Sequence, residues 1–214
     1  MKKTLRFSLF IALLGTSCVA FSQISIGAKA GLNLANIMTD ENDFDTKMLP
    51  TFQVGAVVEF GLTENIAIQT GASLQGKGFI YEDEFTVLGE TFKTTSTATP
   101  LYIQVPAHVM YNGNGFFVGV GPYVGFGIAG KLKSEVNGSS TSDDINFGNT
   151  IDDDFSPIDF GVGAQAGVSF GPVRVGAGYD LGLADIVAKD NRSAGQPTVK
   201  NSVINIFASY FFGQ

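Results

Sequence analysis

The feature that most constrains this chain is an alternation of apolar residues with small or polar residues, which recurs in eight segments. Successive side chains of a β-strand point to opposite faces, so each segment predicts a strand with one apolar face. Most segments match the roughly 9–11 residues with which a tilted strand crosses a bilayer. The predicted strands cover residues 24–36, 52–62, 66–77, 101–111, 116–128, 158–170, 173–183 and 204–212.

The connections between these strands alternate strictly in length. Residues 63–65, 112–115 and 171–172 are short turns, whereas the long connections cover residues 37–51, 79–100, 131–157 and 186–200. Transmembrane barrels show this asymmetry, with short periplasmic turns and long outer loops. An open sheet edge in lipid would leave backbone groups unpaired, so the first strand should pair with the last. We therefore predict an all-β, eight-stranded antiparallel up-and-down transmembrane β-barrel in the outer membrane.

The N-terminus predicts a cleavable signal peptide. A basic start (Met1–Arg6) precedes a short apolar run (Phe7–Leu14), and Ala20-Phe21-Ser22 offers small residues for cleavage before residue 23. The apolar run is too short for a transmembrane helix, which needs about 20 residues. The alternative is a lipoprotein signal at Cys18, but no leucine stands three residues before it. We expect residues 1–22 to be the signal peptide and residues 23–214 to be the barrel domain.

Charge is excluded from the apolar faces. Cleavage would remove three of the 13 basic residues and leave 10 against 20 acidic ones, a net charge of −10. It would also remove the one cysteine, so the mature chain could form no internal disulfide. The acidic balance argues against nucleic acid as a partner. Sixteen of the 20 acidic residues lie in or beside the long connections; the others are Glu59, Glu64, Asp159 and Asp180.

Four short phrases, three of which contain glycine, give a family resemblance. Their order along the mature chain resembles that in the PorT-like outer-membrane β-barrel family of the Bacteroidetes. The resemblance implies an eight-stranded barrel in the outer membrane of a Gram-negative bacterium. The named member of that family acts in protein secretion, but no residue here marks that role. The phrases are residues 26–34 (IGAKAGLNL), 101–106 (LYIQVP), 121–126 (GPYVGF) and 178–183 (GYDLGL).

The inward faces of the predicted strands carry several ionisable residues, and two interpretations stay open. They line a polar conduit or small ligand pocket, or they form a paired plug. The plug is favoured, because an eight-stranded barrel is just wide enough for its side chains and buried charges need partners. Glu59 with Arg174 near the turn end, and Lys77 with Asp159 nearer the loop end, are plausible partners on non-adjacent strands. The inward ionisable residues are Lys29, Glu59, Lys77, His108, Asp159, Arg174 and Asp180.

The sequence contains no catalytic constellation. Acyl transfer and proteolysis usually need a general base beside a nucleophile or an activated water. The only histidine, His108, is expected on the inward face about three residues from a turn, where a satisfied lumen residue is the simpler interpretation. We therefore predict that the protein is not an enzyme, with no catalytic, cofactor-binding or metal-binding residues and no cofactor.

The long connections hold acidic clusters and aromatic residues. The clusters, residues 40–45, 82–84 and 152–154, could attract hard cations. None has the spacing of a calcium-binding loop, so a solvated surface beside anionic lipopolysaccharide is favoured. The aromatic residues either anchor a partner or cap the barrel mouth: Phe44, Phe85, Phe92 and Phe147.

These observations favour a non-enzymatic outer-membrane barrel with a structural or surface-interaction role. The alternatives are an accessory component of a protein secretion apparatus and a narrow channel for small solutes. The expected partners are outer-membrane lipid and lipopolysaccharide, with a possible protein partner at the outer loops or periplasmic turns. We expect a monomer that binds no nucleic acid.

Overall fold

The computed structural model describes residues 24–39, 46–87, 90–136, 138–188 and 198–213. The predicted signal peptide and the acidic cluster at residues 40–45, which includes Phe44, lie outside these ranges. No helix in the described ranges is long and apolar enough to cross a membrane.

All regular elements in these ranges are β-strands, eleven in number. They are β1 (Ile24–Thr39), β2 (Thr46–Lys47), β3 (Leu49–Gly61), β4 (Ile66–Gly76), β5 (Phe79–Val87), β6 (Glu90–Asn112), β7 (Phe116–Val136), β8 (Ser139–Asp144), β9 (Ile158–Phe170), β10 (Val173–Gly182) and β11 (Val199–Phe212).

Eight of these strands close into a ring of antiparallel pairs. The order around the ring is β6, β4, β3, β1, β11, β10, β9 and β7, and a β6–β7 ladder closes it. The first and last strands pair from Ile26↔Phe212 to Thr39↔Val199. The predicted eight-stranded up-and-down barrel, and the closure of its first strand against its last, are confirmed.

Two strands are much longer than the sequence pattern predicted. The predicted bounds 101–111 and 116–128 are wrong, because β6 has 23 residues and β7 has 21. Their outer halves pair with β5 and β8, and β2 pairs with β5. We call these parts the outer sheet. It is rich in Thr and Ser, as in residues 94–97, and threonine favours strands without adding an apolar alternation.

The outward face of the wall changes character where the outer sheet begins. Ile103 and Phe126 point outward and are exposed. Farther from the periplasmic turns, Thr97 and Thr99 on β6 alternate with buried neighbours. They pair with Lys133 and Lys131 on β7. The apolar belt therefore ends between these rows, and the outer sheet projects beyond the hydrocarbon.

The molecule is apolar outside and polar inside. The exposed large apolar residues occupy outward positions of seven of the eight ring strands, for example Leu32, Val120 and Ile206, and the outward apolar residues of β4 are partly exposed. The inward positions bury charged and amide side chains, which a soluble protein rarely does. Hence the apolar faces do not pack against each other as the layers of a sandwich, and they form a belt suited to lipid.

Candidate functional site

The lumen near the periplasmic turns is crossed by an ion pair. Arg174 on β10 donates to Glu59 on β3 through two hydrogen bonds, Nη1–Oε2 at 2.7 Å and Nη2–Oε1 at 3.1 Å. Glu59 also accepts from Gln69 Nε2 at 3.2 Å and from Asn112 Nδ2 at 2.8 Å. The guanidinium lies 4.5 Å from the ring centroid of Phe211. The predicted Glu59–Arg174 partnership is confirmed, and bidentate geometry makes it a strong contact.

An apolar cluster lies in the lumen at the same end. Four buried side chains pack together, with the rings of Phe117 and Phe207 6.2 Å apart. The sequence pattern did not reveal this cluster. The alternation assigns its members to the inward face, but it does not show which inward side chains contact one another. We call it the turn-end cluster: Ala67, Met110, Phe117 and Phe207.

A second ion pair crosses the lumen nearer the outer mouth. Lys77, just after β4, donates to Asp159 Oδ2 on β9 at 2.8 Å, and the two side chains are 1% and 0% exposed. The same oxygen accepts from Asn201 Nδ2 at 3.0 Å and from Tyr123 OH at 3.4 Å. The Lys77 ammonium also lies 4.4 Å from the Tyr123 ring centroid. The predicted Lys77–Asp159 partnership is confirmed.

Amide side chains fill the lumen beside this second pair. Asn33 Nδ2 donates to Gln75 Oε1 at 2.9 Å, and Gln75 Nε2 donates to Gln53 Oε1 at 3.2 Å. These residues were visible in the sequence as inward positions. Their partners were not, because each hydrogen bond depends on the register of a neighbouring strand.

The outer mouth is closed by a larger apolar cluster. Its buried members are contributed by β1, β6, the segment before β9 and the segment after β10, and Phe147 packs against it. Phe147 also meets Tyr102 edge to face at 5.5 Å, which supports its interpretation as a cap. The side chains of Phe85 and Phe92 lie outside what the structure describes. We call this the mouth cluster: Ile37, Ala98, Ile145, Phe155 and Ile186.

The described acidic clusters are engaged in local contacts. Asp153 Oδ2 accepts from the Thr150 hydroxyl at 2.6 Å and from its backbone N–H at 2.8 Å, and these bonds hold the pKa of Asp153 below its usual value. Asp154 accepts from the Asn146 N–H at 2.8 Å. Residues 82–84 lie on β5, where Glu82 pairs with Lys47 at 2.6 Å. Within the described ranges, no group of three or more His, Cys, Asp or Glu side chains could hold a metal ion.

His108 lies on the inward face of β6 and is buried, as predicted. It lines a cavity of about 30 Å³ in the middle of the lumen, together with Lys29 and Asp180. Asp180 Oδ2 accepts from Gln104 Nε2 at 3.0 Å, and Lys29 Nζ donates to Gln165 Oε1 at 3.3 Å. The cavity is far too small for a drug-sized ligand, which needs roughly 300 Å³ or more.

Comparison with known proteins agrees with this architecture. Residues 19–188 match the family model described as an outer membrane protein beta-barrel domain. No curated protein sequence matches the chain.

Solved structures of small barrels are similar to the chain at low identity. Ail, the attachment invasion locus protein of Yersinia pestis, is 16% identical over 88% of this chain and 98% of its own, with a TM-score of 0.43. Neisserial surface protein A is 11% identical over 86% and 96%, with a TM-score of 0.40. The N-terminal barrel domain of Pseudomonas aeruginosa OprF is 9% identical over 87% and 97%, with a TM-score of 0.34.

The family match covers most of the chain and includes seven of the eight ring strands that the structure describes. The chain therefore belongs to the outer membrane protein beta-barrel domain family and is a protein of the outer membrane.

Proposed function

We propose that this protein is a non-enzymatic, non-conducting outer-membrane barrel that acts through its outer sheet and loops, in a structural or surface-interaction role. The observation that carries the proposal is the closure of the lumen. The turn-end cluster and the mouth cluster lie at its two ends, and the ion pairs and amides leave a central cavity of about 30 Å³.

The buried pairs argue against the narrow-channel alternative. An ion passing through the lumen would have to separate Arg174 from Glu59 and Lys77 from Asp159. Removing one partner of a buried pair costs about 3–5 kcal/mol, because the other charge is left uncompensated. Two such pairs in series make stable openings unfavourable.

The outer sheet supports a role at the cell surface. Strand β8 is exposed along its whole length, and β5 to β8 present charged and hydroxyl side chains beyond the apolar belt. Exposed lysines here pair with carboxylates, as in Lys131–Asp144 at 3.0 Å, so this face carries both signs of charge. We propose lipid and lipopolysaccharide as partners around the belt, and a protein as the partner of the outer sheet.

The closed ring supports a monomer. Every ring strand is paired on both sides within one chain, so no strand edge of the barrel needs a second copy in the membrane.

The signal peptide and the finer family assignment belong to the same proposal. We propose removal of residues 1–22 and a barrel domain of residues 23–214, on the basic start, the short apolar run and the small residues before residue 23. The PorT-like assignment rests on the four short phrases, which lie on β1, β6, β7 and β10 or at its end.

Planar-bilayer conductance tests closure directly. We expect no stable openings from the wild-type barrel. The matched positive control opens both ends: F117A/F207A/R174S/E59S at the turn end is combined with K77S/D159S/F155A/I186A at the mouth, and this variant should conduct. Stable openings of the wild type would contradict the proposal.

Site-specific crosslinking on intact cells tests the surface role. Photoreactive residues at Thr95 and Ser140 on the outer sheet should capture a fixed partner set, whereas one at Thr63 in a periplasmic turn should not. Replacing residues 82–95 and 134–141 by two-residue turns preserves the pairs Tyr81↔Ser96 and Lys133↔Ser142. Because the replacement removes both photoreactive positions, partner retention is measured by pull-down of the barrel. The shortened barrel should stay heat-modifiable and should no longer recover the partner, whereas the full-length barrel should. Capture only from Thr63 would favour the secretion-accessory alternative.

A further inference from the structure

The charges inside the lumen do not all pair directly. Three basic and three acidic side chains lie within the described part of the lumen, and four of them form the two ion pairs. Lys29 and Asp180 remain, with no direct ion pair between them. Lys29 has one hydrogen bond to Gln165, and Asp180 has one from Gln104. An ammonium can donate three bonds and a carboxylate can accept about four, so both keep unused hydrogen-bonding capacity. Asp180 is buried, and Lys29 is half-buried with its ammonium 3.7 Å from the ring centroid of Phe207.

These two residues line the same cavity as His108. Several buried polar atoms around it have no hydrogen-bond partner among the described residues. His108 is the clearest case, because it is 7% exposed and neither ring nitrogen has a partner. The others are Gln53 Nε2, Gln104 Oε1 and Asn205 Oδ1.

The geometry around Gly163 shows that two of these residues face one small space. A Cβ atom at Gly163 would lie 2.5 Å from Asp180 Oδ1 and 3.0 Å from His108 Nε2. The space that this glycine leaves open is thus bordered by a carboxylate oxygen and an imidazole nitrogen. A side chain there would crowd both groups.

The size and charge of the cavity indicate its occupant. A water molecule needs roughly 10–15 Å³ of such volume and 2–4 polar partners. A cavity of about 30 Å³ therefore has room for about two. The charges of Lys29 and Asp180 cancel, so the lining favours a neutral ligand over a cation or an anion. Leaving so many buried polar atoms without partners would be costly, whereas water satisfies them.

We propose that about two ordered water molecules occupy this cavity and join the Lys29 ammonium to the Asp180 carboxylate, with His108 as a further partner. The lumen then holds three ion pairs, two in direct contact and one separated by water. This site is independent of the surface role proposed above, since its lining residues point into the lumen and not to the outer sheet.

A crystal structure of the wild-type protein, at a resolution that shows ordered solvent, is the primary test. We expect density for water within hydrogen-bonding distance of Lys29 Nζ, Asp180 Oδ1 and His108. An empty cavity, a direct Lys29–Asp180 contact, or density with the coordination of an ion would overturn the proposal. Water-to-amide NMR transfer at His108 in the wild-type protein gives a second measurement that needs no substitution.

A double-mutant cycle in lipid vesicles tests whether the two charges are coupled. K29M and D180N should each lower the urea midpoint of unfolding, and K29M/D180N should recover more than half of the summed loss. K131M/D144N, at an exposed pair outside the membrane, is the control and should show little coupling. If the decreases in urea midpoint for K29M and D180N simply add in the double variant, the proposed water-mediated coupling of Lys29 and Asp180 is wrong, even if both variants fold.

Discussion

Arg174 and Glu59 join opposite parts of the barrel wall through two hydrogen bonds of 2.7 and 3.1 Å. Their strands, β10 and β3, are separated around the ring by β11 and β1. The contact therefore braces the lumen from one side to the other, and it does not belong to any ladder of the sheet. Its counterpart, Lys77 with Asp159, does the same nearer the mouth.

Removing one partner of the turn-end pair should destabilise the barrel strongly. We expect Arg174→Met to lower the free energy of unfolding by about 3–5 kcal/mol, because Glu59 would be left buried without its cation. R174M/E59M should recover much of this loss. Urea unfolding in vesicles, followed by heat-modifiable migration, measures both. If R174M lowers the free energy of unfolding as little as the exposed control K131M does, the proposed stabilisation by the Arg174–Glu59 contact is contradicted.

Removing the lysine of the second ion pair should also destabilise the barrel. Lys77→Met leaves Asp159 with Asn201 and Tyr123 as donors but with no cation, so we expect a loss of similar size, about 3–5 kcal/mol. K77M/D159N should be more stable than K77M alone, because no uncompensated charge remains. If K77M/D159N proves the less stable of the two in urea titration, the charge-based explanation fails.

Glycine at position 121 should be essential where the ring closes. A Cβ there would overlap the backbone oxygen of Ala107 and lie 2.8 Å from the Cα of His108, both on the neighbouring strand β6. We expect Gly121→Ala to prevent assembly, seen as loss of the heat-modifiable folded band. Gly125→Ala is the matched control on the same strand, because the nearest atom to its Cβ would be 3.6 Å away. It should fold normally, and equal behaviour of the two variants would contradict the prediction.

The outer loop around Thr150 should be weakened by acid. Hydrogen bonds from the hydroxyl and N–H of Thr150 lower the pKa of Asp153. A carboxyl with a lowered folded-state pKa stabilises the fold above its ordinary pKa, and this contribution is lost as the pH falls through the lowered value. We expect the amide shift of Thr150 to titrate at that lower pH.

Thr150→Val provides the comparison for this titration. It removes the hydroxyl bond and keeps the N–H, so the midpoint should move upward. An unchanged midpoint would show that the hydroxyl does not set the pKa of Asp153.

The strand pattern was predictable because it is local. Each strand alternates along its own length, so residues such as Leu32 and Val120 could be assigned to the lipid face without knowing their neighbours. The predicted bounds of β6 and β7 were too short for the same reason, because the pattern was read only along the strand. Residues 94–99 form a strand whose outward positions carry threonine, and a search for apolar alternation does not detect a strand without large apolar residues on that face.

The sequence by itself therefore determined the eight strands, their faces and the closure of β1 on β11, since lipid tolerates no open edge. It also suggested which lumen charges share a level of the barrel. Only the tertiary structure decided that these charges touch, that apolar clusters close both ends, and that Lys29 and Asp180 face a common cavity. Those relationships cross the lumen, so they depend on the register and tilt of strands far apart in the chain, which no local pattern encodes.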